Sequence, residues 1–219
     1  MDVRKAIVRD GYDAVAAAYA AERPKRETSH PFEWRRERAW LERFYGALPA
    51  GARVLDLGCG NGAPILAELV ARGFVATGVD FSAAQLARAR ALCPEATLIE
   101  TDMTEARFER ESFDSIVAYD SIWNLPRHEQ PPLFRRLRDW LVDDALVLLT
   151  LGADDDICAD APGLHTELLG KPTFYDAWPV DISLQYLRAS GFTITDYDCH
   201  PGPGNGHLLI LARALSRGR

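Results

Sequence analysis

The amino-acid sequence predicts a doubly wound α/β fold built on one mostly parallel sheet, and three observations carry that expectation. From Ala52 onward, short apolar runs alternate with helical patterns, as repeated βαβ units require. The first of these runs breaks into a glycine turn, Gly58-Cys59-Gly60-Asn61-Gly62, that leads into a helix. The last two runs are separated only by residues 201–206, too few for a parallel crossover, so that pair is antiparallel.

Taken in order, the chain begins with two helical patterns, one carrying Tyr12, Val15 and Tyr19, the other Trp40, Leu41, Phe44, Tyr45 and Leu48. We expect residues 1–50 to form a helical cap that roofs the open end of the sheet. Seven strands are expected at residues 54–57, 75–79, 97–99, 116–119, 146–151, 192–196 and 208–211. Between them, Ile65, Leu66, Leu69 and Val70 repeat at helical spacing, as do Leu133, Phe134, Leu137, Trp140 and Leu141. Ser82 followed by Gln85 is a capping-box signature, so a helix starts directly after Asp80 and Phe81. Residues 152–180 hold three prolines and no periodicity, and are expected to be a lid or an acceptor-site insertion. At 219 residues, one domain accounts for the whole length.

Composition narrows the classes of function. A net charge of −7 leaves no basic footprint for a phosphate backbone and argues against nucleic acid. The arginine clusters Arg35, Arg36, Arg38 and Arg135, Arg136, Arg138 fall on amphipathic helices and read as solvated faces. Four dispersed cysteines at no metal-ligand spacing read as free thiols with no metal. No apolar run of about 18 residues is present and the first residues carry no apolar signal core, so a cytoplasmic protein without a membrane span is expected.

The glycine turn is the strongest local signal. Glycines there let the backbone turn sharply and pass close to a ligand. Gly58, Gly60 and Ala63 also satisfy the dinucleotide spacing, so the turn alone leaves two ligands open. Asp56 decides between them: a carboxylate two places before the first glycine repels a pyrophosphate and attracts an ammonium or sulfonium cation. Asp80 ends the second strand, where a carboxylate receives ribose hydroxyls. Asp102 and Met103 follow the third strand, offering an acceptor for an exocyclic amine and a soft apolar surface for a purine face.

At these residues the sequence resembles the class I S-adenosylmethionine-dependent methyltransferases, which have a Rossmann-like fold. Residues 54–62 resemble their first motif, Gly78-Val79-Asp80 the acidic second motif, Asp102-Met103 the adenine-side motif, and residues 113–120 the fourth strand. Within that class the chain is similar to a group of bacterial small-molecule enzymes sharing Leu125-Pro126 and Gly206-His207-Leu208, in which a histidine often stands at the position of Asn124. The resemblance implies S-adenosyl-L-methionine as cofactor, held by Tyr19, Asp56, Gly58, Cys59, Gly60, Asn61, Gly62, Asp80, Phe81, Gln85, Asp102, Met103, Tyr119 and Asp120. It also implies that the helix with Tyr12 and Tyr19 closes over the methionine end.

Methyl transfer from a sulfonium is an in-line displacement, driven largely by orientation, and needs a base only if the acceptor keeps its proton. Acceptor-side candidates are Trp123, Asn124, Tyr175 and Trp178, with Asp176 nearby, and His207 is the best placed candidate base. Cys59 reads as a small filler beside the cofactor. His128, His165 and His200 carry no catalytic pattern. Two other functions are compatible with the same pattern: an NAD(P)-dependent oxidoreductase, against which Asp56 and the reversed last strand argue, and a cofactor-binding regulator without turnover.

Overall fold

A computed structural model describes residues 2–22, 31–153, 164–200 and 206–218. Two helices, α1 (Val3–Glu22) and α2 (Pro31–Gly46), precede the sheet. There follow β1 (Arg53–Leu57), α3 (Ile65–Ala71), β2 (Val75–Asp80), α4 (Ala83–Leu92), β3 (Thr97–Glu100) and β4 (Phe113–Ala118). Two 3-10 turns, Ile122–Asn124 and Arg127–Glu129, lead to α5 (Gln130–Trp140) and β5 (Leu141–Gly152). The chain ends with β6 (Leu164–Leu168), β7 (Lys171–Tyr175), α6 (Val180–Ala189), β8 (Phe192–His200) and β9 (His207–Ala214).

The seven-stranded sheet has the order β3-β2-β1-β4-β5-β9-β8. Strands β1 to β5 pair in parallel, and β9 runs antiparallel to both β5 and β8. Strand order reverses between β1 and β4, the switch point at which an open α/β sheet presents a crevice. All seven expected strands are present. Strand β5 starts earlier than the apolar pattern suggests, because an irregularity between the Phe113–Leu141 and Ser115–Leu146 pairs absorbs Asp144, whose φ is 61°.

The central strands are apolar without alternation because both sheet faces are covered. On one face Leu55, Leu57, Ile116, Val147 and Leu149 pack with Phe134 and Leu137 of α5 and Leu187 of α6. On the other, Val54, Val117 and Leu148 pack with Leu41 and Phe44 of α2, Leu66 and Leu69 of α3, and Leu86 of α4. Each such buried Leu or Phe contributes roughly 1.5–3 kcal/mol. Helix α2 therefore covers a sheet face and does not roof the sheet end; of the two helices it is α1 that lies over the crevice, lining it with Val8, Tyr12 and Tyr19. The arginines near α2 are engaged as well: Arg36 pairs with Asp198 and Arg38 with Glu68 and Glu42. Arg138 is buried and donates to Leu141 O at 3.1 Å, so that position is an anchor and not a solvated face.

The expectation of a patternless loop over residues 152–180 needs correction. Strand β5 runs through Gly152, and β6 and β7 form an antiparallel hairpin closed by Leu169 and Gly170, both at positive φ (50° and 75°). Pro172 disguised the second strand, and Leu169 sits where Asn or Asp usually marks such a turn. Residues 154–163, which include Cys158, lie outside the described residues.

The hairpin packs on α1, and α1 is docked at three further points. A Cβ on Gly11 would stand 2.5 Å from Pro172 O, so the helix and β7 meet backbone to backbone. Lys5 Nζ donates to Asp102 and Glu129, both at 2.7 Å, and to Thr104 Oγ1 at 3.0 Å. Asp13 accepts from Ser82 Oγ and from Ala84 N, capping the start of α4. Gln85 Nε2 reaches Tyr12 O at 3.5 Å.

Two outcomes follow from this docking. Gly→Ala inside a helix ordinarily stabilises by up to about 1 kcal/mol, but Gly11→Ala should destabilise by about 1–3 kcal/mol in urea melts, because its methyl meets a backbone oxygen. The second concerns pH. Burial would raise the Asp102 carboxyl, but hydrogen bonds from Lys5 and Thr104 outweigh it and hold the carboxyl below its usual range. Burial would lower Lys5, but Asp102 and Glu129 raise it. A depressed acid stabilises above its unfolded pKa of about 4, and a raised lysine stabilises below its unfolded pKa of about 10.4. Hydrogen-exchange protection of α1 should therefore stay level between those limits and fall outside them; a drop centred near pH 6 to 7 would refute this account.

Candidate functional site

The crevice at the carboxyl ends of β1 to β4, beneath α1, encloses about 800 Å³ including its open mouth. Its floor is the turn after β1. Gly58 has φ 84°, and a Cβ there would stand 2.3 Å from Ser121 Cβ, so only glycine lets the β1 and β4 exits touch. Ser121 Oγ donates to Leu57 O at 2.7 Å and holds the two exits together. A Cβ on Gly60, whose φ is 52°, would meet no atom within 4 Å, so the bare backbone here faces the open crevice. Asn61 Oδ1 accepts from Ala63 N at 3.0 Å and closes the turn.

Carboxylates line the same wall. Asp56, 2% exposed, stands on β1 between Gly78 and Val117. Asp80 takes Gly60 N on Oδ2 and Ser82 N on Oδ1, each at 2.9 Å, joining the glycine turn to the start of α4. Burial raises the Asp80 carboxyl, with Asp13 adding to the rise, against the lowering effect of amides from Ser82, Gly60 and Phe81. Helix α4 begins as its sequence requires, with Ser82 Oγ accepting from Gln85 N at 3.2 Å. The capping box is half formed, because Ser82 N goes to Asp80 and the Gln85 amide to Tyr12. Asp102, Met103 and Phe81 complete one end of the crevice, and Tyr119, Asp120 and Asn124 the other. Asp120 adopts φ 53° with its N–H donating to Thr150 Oγ1 at 2.9 Å. From above, Tyr12 and Tyr19 contact each other edge to face at 5.7 Å.

Cys59 lines the crevice against β2, where a Cβ on Gly78 would stand 2.8 Å from its sulfur. Burial, with the charges of Asp56 and Asp80, pushes its thiol well up, which leaves it protonated and unreactive. Gly62 and Gln85 do not line the crevice: Gly62 packs on Ala89 and Cys93, and Gln85 is buried beneath α1.

The acceptor-side candidates divide. Asn124 lines the crevice and its Nδ2 approaches Tyr12 Oη at 3.5 Å. Trp123, Tyr175 and His207 form a separate cluster beside it, with Trp123 4.6 Å from the His207 ring and 6.3 Å from the Tyr175 ring. Tyr175 is buried and donates its hydroxyl to Gly206 O at 2.9 Å. Trp178 is carried elsewhere: its indole N–H donates to Arg127 O at 2.9 Å and its ring packs on Tyr186. Asp176 makes a buried pair with Arg127. His128, His165 and His200 are exposed. Lys5, Asp13 and Ser121 belong to the site's framework, yet nothing in the local sequence around them marks that role. Among the described residues, no group of three or more His, Cys, Asp or Glu could hold a metal, and no helix is long and apolar enough to cross a membrane.

Two glycine variants separate framework from ligand wall. Gly58→Ala should lose about 2–4 kcal/mol of stability in urea unfolding, from positive φ plus the overlap with Ser121. Gly60→Ala should lose only the backbone part, about 1–2 kcal/mol.

With this geometry, a family model described as a methyltransferase domain matches residues 54–144. A curated relative, 27-O-demethylrifamycin SV methyltransferase of Amycolatopsis mediterranei, is 33% identical over 132 residues, covering 53% of this chain and 48% of the relative. Trans-aconitate 2-methyltransferase of Variovorax paradoxus is 39% identical over 95 residues, 41% of this chain and 36% of the relative. The matches thus span about half or less of these relatives. The solved DhpI–SAH complex shares the fold, with a TM-score of 0.72 over 98% of both chains at 20% identity. Residues 54–144 thus match a methyltransferase domain, and the chain shares the fold of the DhpI–SAH complex.

Proposed function

We propose that this protein transfers a methyl group from S-adenosylmethionine to a small-molecule acceptor. The observation that carries the reading is the pairing, on one wall, of Gly60's open backbone with the carboxylates of Asp56 and Asp80. A bare backbone admits close approach, and two carboxylates side by side suit a cation that bears hydroxyls. The residues fit the cofactor, which when bound supplies an electrophilic methyl group on a sulfonium.

In this reading Asp80 accepts the ribose hydroxyls while the Gly60 and Ser82 amides fix its orientation. Asp56 draws the cationic end toward the β1 exit. Met103 and Phe81 flank the purine, and Asp102 accepts its amine. Tyr12 and Tyr19 cover the methionine end and exclude water. Tyr119, Asp120 and Asn124 bound the side from which an acceptor would approach, with Trp123, Tyr175 and His207 next to them. His207 is the candidate to hold an acceptor proton. Both curated relatives are named for small-molecule substrates, and the net charge of −7 argues in the same direction.

Calorimetry tests the cofactor: S-adenosylhomocysteine should bind and NADH should not. Asp80→Ala should weaken that binding by about 10- to 100-fold, the size of a lost charge-assisted hydrogen bond, while Cys59→Ala changes it little. With an acceptor found by cofactor consumption, His207→Gln should lower turnover with cofactor affinity preserved. Cofactor binding without consumption across a broad acceptor panel would favour a regulator instead.

A further inference from the structure

Lys5 is an unusual residue to bury, with its side chain 6% exposed on a helix that otherwise meets the crevice through Val8, Tyr12 and Tyr19. An ammonium has three protons, and all three are placed: on Asp102 Oδ2, on Glu129 Oε2 and on Thr104 Oγ1. Thr104 in turn donates both its backbone N–H and its hydroxyl to Asp102 Oδ1, each at 2.8 Å. A carboxylate oxygen accepts about two hydrogen bonds. Oδ1 is therefore filled, and Oδ2, already bonded to Lys5, keeps one acceptor position. Asp102 lines the crevice with Thr101 and Met103, where a ligand could use that remaining position.

We propose that Lys5 is a positioning residue for the purine: it fixes Asp102 with a single acceptor position left for an exocyclic amine, so that α1 reads the adenine end of the cofactor as well as covering the methionine end. This rests on the cofactor reading given above. Without Lys5, Thr104 alone holds the carboxylate, at Oδ1, Oδ2 loses its partner, and selectivity for the amine falls. A second consequence is coupling, since a ligand that engages Asp102 stabilises the same network that docks α1.

The alternative is that Lys5 only pins α1, and selectivity separates the two. The probes are S-adenosylhomocysteine and S-inosylhomocysteine, which carries a carbonyl in place of the amine, each titrated by calorimetry. The wild-type protein should prefer the adenosyl probe by about tenfold or more. Lys5→Met should lower the ratio. Glu129→Gln, which loosens the α1 anchor but leaves the Lys5–Asp102 pair, should weaken both probes alike and keep the ratio. Should Lys5→Met fail to fold, Thr104→Val removes the hydroxyl from Oδ1 and should lower the ratio in its place. Equal loss of both probes in Lys5→Met, or no preference in the wild type, would overturn the proposal while leaving the cofactor reading intact. Binding of neither probe by the wild type would overturn the cofactor reading itself.

Discussion

The carboxylate of Asp80 receives one amide from the glycine turn and one from the start of α4, and the rest of the crevice depends on that bridge. It brings the exits of β1 and β2 to a common edge, so that Gly60 faces outward while Gly58 rests against Ser121. A buried carboxylate accepting two backbone amides has its orientation fixed by groups that cannot rotate away. Its burial also raises the energy of its own charge, which a hydroxyl donor or a nearby cation would offset. In the proposed reading, structure and binding thus draw on the same side chain.

Charge is distributed unevenly around this edge. Asp102 has its own buried cation in Lys5, and Asp176, farther away, has Arg127. Burying an ion pair stabilises little by itself, because desolvation opposes the attraction. What such a pair does well is fix register, and Lys5 sets where α1 lies relative to β3. Asp56, Asp80 and Asp120 line the crevice with Asp102, and such a run of carboxylates suits a cationic ligand.

Helix α1 connects packing to access. Pro172 against Gly11 joins it to the β6–β7 hairpin, Asp13 to α4, Lys5 to the exit of β3 and the turn before α5, and Tyr12 to Asn124 and Gln85. Any movement of α1 that admits a ligand must break several of these together, which favours a helix that moves as a unit over one that frays. The hairpin, expected as a loose segment over the site, serves as the platform on which α1 rests.

Sequence alone determined the features that rest on short-range physics. Apolar period located the seven strands of the large sheet, the six residues before His207 required the last pair to be antiparallel, and positive φ required glycine at the first turn. Asp56 and Asp80 were legible because their place relative to a strand end follows from backbone geometry. The tertiary structure alone decided what depends on distant partners. Lys5 meets Thr104 and Glu129 across 99 and 124 residues, and no local pattern signals such a meeting. Trp178 left the crevice because Arg127 O offered its indole a partner, and α2 took a sheet face because its apolar stripe found Val54 and Leu148 there. Hydrophobic pattern states that a face must be buried, but only the packed molecule determines against what.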